Sequence, residues 1–486
     1  MNKIPVLLLL GLALGGCGGK GQRKDDAPVV VSAIAGVPRP ADPSLKPLDT
    51  AARILMGATA QGLVRFDAAG GVEPGLAERW IVIDDGRSYI FRLREAYWND
   101  GSAVTAAQVV RVLRRAAAPG SDNVLAPFLS VIDEVVEMTP QVIEVRLKRP
   151  RPDLLKLFAQ PELAVFRTGA LDGSGPFRSA PAGRNATLLS PAADPSRIVD
   201  QAAPVPEETA RLIGERAALA LARFTARESD LILGGRFTDW PIVAQADIAP
   251  TNVRIDPAIG LFGLAVVNRL GFLADAQNRA AIAMAIDRRA LTEALMSDWR
   301  PIETLLPAQL DSAAAPARPG WETLPLDARR EVARARVATW RRAEGEAPSI
   351  RIALPYGPGA MLVWAHLAAS LRSVGIVPQR VGPDASADLR LIDEVAPYDS
   401  GRWFVQTACL GCPKELLDLV AAGRDAPDLA ARALRIAEAD IALTVDSAYI
   451  PIAQPLRWSV VALRLGAWQR NTRAWHPLNH LRNETE

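Results

Sequence analysis

The sequence of 486 residues has few of the residues on which most metal and redox chemistry depends, with only three cysteines and three histidines. The sequence therefore offers few residues that could form a zinc site or a Cys/His nucleophile system. A charge of one sign is also missing, since 56 basic residues nearly balance 54 acidic ones. The net charge of +2 creates no strong field for nucleic acid. With no lysine-bearing phosphate loop and no nucleophile elbow, we expect neither an enzyme nor a cofactor.

Long hydrophobic runs are absent beyond the first residues, so no membrane-spanning helix is predicted. The apolar run over residues 4–14 is too short for a span, which needs about 20 residues. After a positively charged start, this run is typical of a secretory signal peptide. It ends Leu14-Gly15-Gly16-Cys17, which resembles the lipobox of bacterial lipoproteins and predicts a signal peptide over 1–16 with lipid on Cys17. The alternative is a plain signal peptide with an incidental cysteine, which would still predict export but no lipid anchor.

The rest of the chain is long and globular in composition. Residues 17–28 are glycine-rich and charged, which predicts a flexible tether after the lipidated cysteine. Hydrophobic residues make up 49% of the sequence and charged residues 23%, as in folded proteins. The length that remains exceeds one ordinary domain, so two or more lobes are expected.

Hydrophobic periodicity predicts strands first and α/β units later. Residues 29–36 form a short β-branched run, and residues 88–94 and 142–147 alternate apolar with polar side chains as half-buried strands do. Thr105 and Gln108 have the spacing of a capping box before an amphipathic helix. The stretch 180–206, rich in Pro, Ala, Ser and Asp, predicts loops.

The second half contains the clearest local unit. Residues 349–355 predict a strand, 361–374 a helix ended by Gly375, and 376–381 a further strand. A strand, helix and strand joined by short links indicate a crossover between parallel strands. Helices are also predicted over 279–287 and 327–342.

Several collinear segments carry a family resemblance. They are GLVRFD at 62–67, EPGLAERW at 73–80, DDGRSYIFRLR at 84–94, WNDGSAVTAAQVV at 98–110, GSGPF at 173–177 and NRAAIAMAIDR at 278–288. Together they resemble the bacterial extracellular solute-binding proteins of family 5, the peptide and nickel class of ABC importers. Most of these motifs mark turns and packing rather than a binding site.

The resemblance implies a mixed α/β fold: a two-lobed, type II-like periplasmic-binding-protein clamshell with an extra subdomain inserted in lobe I. Lobe I would combine 29–55, 171–264 and 451–486, with the inserted subdomain over 56–170. Lobe II would cover 265–450. Two crossing strands near 264–268 and 448–452 would form the hinge.

The resemblance also implies a place for the ligand. Relatives set an aspartate of lobe II against the α-amino group of a peptide, and the matching stretch here is Arg390-Leu391-Ile392-Asp393. Asp393 is therefore the candidate amine anchor, although it could instead only cap a loop. Arg390 stands where many relatives carry tryptophan, which counts against a peptide ligand. Tyr398 and Trp403 could stack on the ligand, or simply pack in the core.

Cys409 and Cys412 form the one chemical motif visible without any family. A C-x-x-C can be a redox pair, half of a metal site or a tight disulfide. No second C-x-x-C and no neighbouring histidine completes a zinc site. In an oxidising compartment we favour a local structural disulfide.

The expected function is the capture of a solute and its delivery to the permease of an ABC importer, and the family resemblance implies a peptide as that solute. The expected partners are a small-molecule or peptide ligand, permease subunits and a membrane reached through the lipid anchor. We expect a monomer, and no binding of nucleic acid. The expected location is the periplasm or cell-surface side of a membrane. Two alternatives remain: an orphan binding lipoprotein that serves a sensor or acts as a chaperone, and a cell-envelope thiol-disulfide oxidoreductase that uses Cys409 and Cys412.

Overall fold

The computed structural model describes residues 26–192, 205–308 and 310–482. The predicted signal peptide and Cys17 lie outside these residues. Across the described ranges, none of the helices has both the length and the apolar character needed to cross a bilayer.

Strands form where β-branched and apolar residues either alternate with polar ones or run together beneath helices. The predicted strands at 29–36, 88–94 and 142–147 are confirmed as the first, fifth and seventh. In chain order the strands are Val29–Ile34 (β1), Val64–Phe66 (β2), Val72–Pro74 (β3), Ala77–Ile83 (β4), Ser88–Leu93 (β5), Ile132–Thr139 (β6), Val142–Leu147 (β7), Phe177–Pro181 (β8), Ala186–Pro191 (β9), Ala210–Glu215 (β10), Leu231–Arg236 (β11), Val253–Ile255 (β12), Gly260–Val266 (β13), Ser349–Ala353 (β14), Val377–Val381 (β15), Leu389–Val395 (β16), Tyr449–Ala453 (β17) and Arg457–Val461 (β18).

The prediction of loops over 180–206 is wrong for part of that stretch. β9 pairs with β8 on one side and with β10 on the other. Thr187 and Leu189 are buried on one face, while Leu188 between them is exposed. The prolines that suggested loops stand at the ends of β8 and β9, where they interrupt little of the ladder.

Helices cover the sheets or connect their strands. The predicted capping box is confirmed, because the Gln108 amide donates to Thr105 Oγ1 and the Thr105 amide donates to Gln108 Oε1. The helices are Thr50–Thr59 (α1), Ala106–Ala117 (α2), Ala126–Leu129 (α3), Leu155–Phe158 (α4), Ala217–Thr225 (α5), Trp240–Gln245 (α6), Ala276–Ala285 (α7), Arg288–Leu295 (α8), Leu326–Glu344 (α9), Pro358–Arg372 (α10), Gly401–Ala408 (α11), Lys414–Asp425 (α12) and Leu429–Asp446 (α13).

Two large sheets organise the molecule. A seven-stranded sheet has the order β12-β18-β11-β1-β10-β9-β8, and a five-stranded sheet has the order β15-β14-β16-β13-β17. We call the parts built on them lobe I and lobe II. A four-stranded antiparallel sheet, β4-β5-β7-β6, and the small β2-β3 hairpin lie between β1 and β8 in the chain.

The predicted strand-helix-strand unit is confirmed in lobe II. β14 and β15 pair in parallel, with α10 as the connection between them. Gly375 follows α10 with a φ of +90°, a left-handed conformation that glycine adopts without the steric cost of a Cβ. The chain can therefore turn from α10 directly into the strand that pairs with β14.

The chain passes between the two sheets twice. The first connection, 256–259, joins β12 of lobe I to β13 of lobe II, and the second, 454–456, returns from β17 to β18. The predicted lobe boundaries at 264/265 and 450/451 fall inside β13 and β17, a few residues from these connections. How the chain divides into independent domains stays a prediction.

A buried carboxyl in α13 is expected to make the stability of the protein depend on pH. Asp440 is 1% exposed, and its Oδ2 accepts a hydrogen bond of 2.7 Å from the Ala317 amide. Burial raises the pKa of Asp440 to about 6 from 3.8, and the Ala317 amide opposes that shift. Because the folded state holds this proton more tightly than the unfolded state, the contribution of Asp440 to stability falls as pH rises from about 4 to about 6.

We therefore expect Asp440→Asn to stabilise the protein at pH 7.5 by up to about 3 kcal/mol, since the amide oxygen can still accept from Ala317 and no charge is buried. At pH 4 the variant and the natural protein should be nearly equal. Chemical denaturation at both pH values measures this. An equal difference at the two pH values would show that the charge of Asp440 is not the cause.

Candidate functional site

A deep cleft lies between the two lobes. One cavity of about 570 Å³ is lined by the ends of β11 and β18 from lobe I, by the chain after β16 from lobe II, and by residues of α1, α3 and 473–476. A second cavity, of about 500 Å³, continues between β11 and the ends of β14 and β16. Arg236, Glu394 and Thr407 line both cavities and so mark their junction. Together the cavities can hold a small organic molecule.

Asp393, the predicted amine anchor, lies inside β16 rather than at a loop cap, and it is ion-paired with two arginines of lobe I. Arg236 Nε donates to one carboxylate oxygen at 3.0 Å, and Arg457 Nη1 donates to the other at 2.7 Å. Both guanidinium groups also donate to the Asp393 backbone carbonyl. The Asp393 side chain is 6% exposed, so a ligand amine could reach it only by displacing a guanidinium.

This Arg236–Asp393–Arg457 triad ties the lobes together beside the hinge connections. Arg457 follows the second connection directly, and Asp393 pairs with Phe262 near the start of β13. The charge of Asp393 raises the pKa of Arg236, whereas burial lowers the pKa of Arg457, with Asp393 opposing that effect. The triad therefore places two guanidinium groups around one carboxylate, with a net charge of +1.

A second group of contacts crosses the cleft at 396–399. Asp399 forms ion pairs with Lys156, from α4, and with Arg473. Gln160 Nε2 donates to the Pro397 carbonyl at 2.6 Å, and Arg473 Nη1 donates to the Ala396 carbonyl at 2.7 Å. These contacts join the chain that follows β16 to lobe I, and they lie beside the first hinge connection, because the Ala396 amide donates to the Ile259 carbonyl at 2.9 Å.

The aromatic candidates have different positions. Trp403, on α11, is 5% exposed and lines the first cavity, where it also packs edge-on against Phe404 at a centroid distance of 4.9 Å. Tyr398 is fully buried against Phe128 and lies outside the cavity lining, and burial raises its pKa to about 12. Trp403 is therefore placed to touch a ligand, whereas Tyr398 packs in the core.

Arg390 lines the second cavity from β16. Its Nη2 donates to the Ala385 carbonyl at 3.0 Å, and the side chain is half-buried. It therefore contributes a positive charge to the cleft, four residues before Glu394 on the same face of the strand.

Several residues of the cleft were not predictable from the sequence. Arg53 donates to Glu162 at 2.7 Å, and its guanidinium lies over the Trp475 ring at 4.7 Å from the ring centroid. All three side chains line the first cavity. These residues come from separate parts of the chain, so no local pattern joins them. The one local signal was a single arginine, Arg236, at the end of the otherwise apolar β11.

Cys409 and Cys412 form a disulfide at the edge of the cleft. Cys409 is buried at the C-terminus of α11, and Leu410 between the cysteines lines the second cavity. The turn is tied to lobe II, because Arg269 Nε donates to the Gly411 carbonyl at 2.6 Å. Cys409 lies at the C-terminus of α11, where the negative end of the dipole disfavours a thiolate, so it is poorly placed to act as a redox nucleophile. Cys412 directly precedes Pro413, the N-cap of α12.

We expect the double variant Cys409→Ser/Cys412→Ser to lose about 2 kcal/mol of unfolding free energy, the loop-closure value for so short a loop. Solvent denaturation of the natural and variant proteins measures this loss. Mass analysis after alkylation of the unreduced protein should find neither cysteine modified. Two alkylated thiols there would contradict the disulfide.

The sequence matches the family described as bacterial extracellular solute-binding proteins, family 5 Middle, over residues 71–386, well over half of the chain. The chain belongs to this family. Family 5 membership agrees with the resemblance drawn from the motifs between 62 and 288, and with the two-lobed mixed α/β fold.

Curated relatives of this family 5 protein match only part of its length. It is 26% identical to the periplasmic oligopeptide-binding protein OppA of Salmonella typhimurium over 260 residues, which is 47% of each chain. It is 31% identical over 140 residues to the probable deoxycholate-binding periplasmic protein YgiS of Escherichia coli, covering 25% of this chain and 26% of YgiS. The chain thus spans at most about half the length of these relatives.

Solved structures match the fold of the family 5 protein across nearly all of the chain. The murein tripeptide binding protein MppA of Escherichia coli superposes with a TM-score of 0.78, covering 94% of this chain and 98% of MppA. The sequence identity in that comparison is 18%, so the match establishes the two-lobed fold and leaves the ligand open.

Proposed function

We propose that this protein captures a small organic solute between its two lobes and delivers it to the permease of an ABC-type importer. The observation that carries the proposal is the pair of joined cavities at the lobe interface, lined from both lobes and by the stacked Arg53 and Trp475. A ligand that touches both lobes only when they are shut stabilises the shut arrangement. A transporter that recognises this arrangement then acts on loaded protein.

A peptide is one candidate ligand, on the strength of the names of relatives. OppA is named for oligopeptides and MppA for murein tripeptide, whereas YgiS is named as a probable deoxycholate-binding protein. We infer that proteins of this fold bind different classes of ligand, and that the charges lining this cleft, rather than family membership, determine which ligand this protein binds.

The same proposal places the protein on the outer side of a membrane, held by lipid on Cys17, in keeping with the extracellular family description. Release of a Cys17→Ser variant from the membrane fraction would support the anchor. Retention of that variant would count against it.

A thermal-shift screen of the full chain tests the function most directly. Oligopeptides, bile acids, amines, sugars and metal chelates should include at least one compound that raises the melting temperature as its concentration increases. A Trp403→Ala variant of comparable stability should bind that compound more weakly, because Trp403 lines the first cavity. If no compound shifts the melting temperature, the proposal loses its support.

The thiol oxidoreductase alternative has a separate test, the reduction of insulin disulfides. We expect no turnover above that of the Cys409→Ser/Cys412→Ser variant, since Cys409 is buried at the C-terminus of α11. Turnover that the two cysteines support would contradict this expectation.

A further inference from the structure

The four-stranded sheet β4-β5-β7-β6 has two edges that differ in their side chains. β6, at one edge, exposes three acidic side chains within 132–139. Charges along an edge strand oppose pairing with a strand of another molecule. β4, at the other edge, instead exposes Ile81, Val82 and Ile83 in succession, at 61%, 38% and 38%. The β4 edge therefore lacks this protection against association.

The edges of the two large sheets are protected in other ways. In the five-stranded sheet, the edge strand β15 contains Pro378, and β17 is bridged by Pro301 through Ala453. In the seven-stranded sheet, β12 has only three residues and β8 ends in Pro181. Proline and short length both limit the addition of a strand. Among the described sheets of four or more strands, β4 is thus the long edge without proline that presents consecutive apolar residues.

Ile81 and Ile83 belong to an apolar patch on the outer face of this sheet. Ile81 pairs directly with Ile90 of β5, so both side chains point to the same face. The alternate residues of β5, Tyr89 and Phe91, are fully buried in the core on the opposite face. Two isoleucines of the edge strand and one of its neighbour therefore form the outer patch.

The backbone of β4 is open on the side away from β5. The Arg87 amide donates to the Ile83 carbonyl at 3.1 Å, so that carbonyl turns toward the start of β5. Because carbonyl groups alternate in direction along a strand, the Val82 carbonyl points to the opposite side, where no described strand pairs with β4. The strand can therefore accept a further strand at its edge.

The turn after β4 carries two carboxylates in a fixed position. Asp84 and Asp85 have left-handed backbones with φ of +54° and +55°, and their exposed side chains form no ion pair with any described residue. The Gly86 carbonyl accepts from the Arg151 amide at 2.9 Å, and a Cβ on Gly86 would lie 2.5 Å from the Pro152 nitrogen. The turn therefore holds its negative charge at the end of the open edge.

The start of β4 carries the complementary charge. Arg79 is 69% exposed, and its nearest carboxylate is that of the adjacent Glu78 at 3.6 Å. An antiparallel pairing of two β4 strands about a two-fold axis at Val82 places Arg79 of each copy opposite the turn of the other, beside Asp84 and Asp85. The edge is therefore complementary in charge to a second copy of itself.

The same register matches the apolar residues. Ile81 of each copy lies opposite Ile83 of the other, and the two Val82 residues lie opposite each other. Cross-strand pairs of β-branched side chains stabilise antiparallel sheets. The two apolar patches then form one continuous surface across the new pair of strands.

We propose that two copies of this chain associate edge to edge through β4, which joins their four-stranded sheets into one sheet of eight strands. None of the residues 77–86 lines either cavity of the cleft. The inference is therefore independent of the proposed function, because each copy keeps its cleft free.

Sedimentation equilibrium of the full chain, in a mild detergent that prevents association through lipid, tests the dimer. The natural protein should show a monomer–dimer equilibrium. Ile81→Lys should weaken dimerisation at least about 10-fold with an unchanged melting temperature, since the side chain is exposed and two lysines enter the apolar contact. Val377→Lys, at a residue 48% exposed on the edge strand β15, is the matched control and should dimerise like the natural protein.

An exchange of charges tests the register. Arg79→Glu should weaken dimerisation about 10-fold, and Asp84→Arg/Asp85→Arg should do the same, because each variant places like charges opposite each other twice. An equal mixture of the two variants should form a dimer of one copy of each with nearly the natural affinity, because both contacts then join opposite charges.

A monomer at every concentration up to about 1 mM, as expected from the sequence alone, would overturn the inference. A dimer that Ile81→Lys does not weaken would also overturn it, because the contact would then lie on another surface. Charge variants that dimerise like the natural protein, or that do not recover in the mixture, would contradict the two-fold pairing. None of these outcomes bears on solute capture, which the thermal-shift screen measures separately.

Discussion

Asp393→Ala is expected to lower the free energy of unfolding by about 3–5 kcal/mol, the usual cost of removing one partner from a buried ion pair. Arg457 is only 13% exposed and would keep its charge without the carboxylate that now accepts from it at 2.7 Å. Arg236 is 44% exposed and can turn toward water, so most of the cost falls on Arg457. Urea denaturation monitored by tryptophan fluorescence gives the difference.

Two further variants separate this structural role from ligand anchoring. Adding Arg457→Met to Asp393→Ala should recover part of the loss, because the buried charge left behind is removed. Asp393→Asn should lose less stability than Asp393→Ala, since its oxygen can still accept from one arginine. A stability change within about 1 kcal/mol for Asp393→Ala, with complete loss of solute binding, would instead support the amine anchor predicted from the family resemblance.

Arg432→Ala is expected to destabilise the protein by about 3–5 kcal/mol for a related reason. Arg432, on α13, is 3% exposed and forms ion pairs with Asp153 and Asp311, while its Nη2 donates to Ser400 Oγ at 2.6 Å. Burial raises the pKa of Asp153, and the charge of Arg432 opposes that effect. Removing the arginine would therefore leave two partly buried carboxylates, 12% and 26% exposed, without their main counter-charge.

The same helix supplies a matched control. Arg435 pairs with Glu438 on the exposed surface of α13, with both side chains about half exposed. Arg435→Ala should change the free energy of unfolding by less than about 0.5 kcal/mol, as is usual for exposed ion pairs. Equal losses for Arg432→Ala and Arg435→Ala in the same denaturation assay would show that burial of the Arg432 network contributes nothing.

The local features of this fold were predictable from the sequence because they depend on neighbouring residues. The capping box of Thr105 and Gln108 opens α2, and the apolar alternation over 88–94 and 142–147 forms β5 and β7. The parallel pair β14 and β15 followed from two short strands around one helix that Gly375 ends. Composition was misleading where prolines at strand ends concealed the alternation of β9. The helix predicted over 279–287 is also not continuous, because α7 ends before Ile286 and α8 begins after Asp287.

The charges of the cleft were not predictable in this way. Arg236 and Asp393 are 157 residues apart in the chain, and Arg457 follows Asp393 by 64. Nothing near Asp393 in the sequence shows that two arginines from another sheet would neutralise it. Glu394 stood beside the predicted anchor and was passed over, although it lines both cavities, whereas Asp393 lines only the second. Tyr398 was a candidate because it is an aromatic residue close to Asp393 in the sequence, but in the structure it is buried against Phe128.

The central claim is that the two lobes shut on a solute, and small-angle X-ray scattering of the full chain with and without the best ligand from the screen tests it most directly. The ion pairs of Asp399 with Lys156 and Arg473 cross the cleft and should form more completely when ligand is bound. We therefore expect the radius of gyration to fall as the solute is added and to level off at saturation. Scattering curves that stay identical from zero to saturating ligand, while calorimetry records binding, would contradict the account.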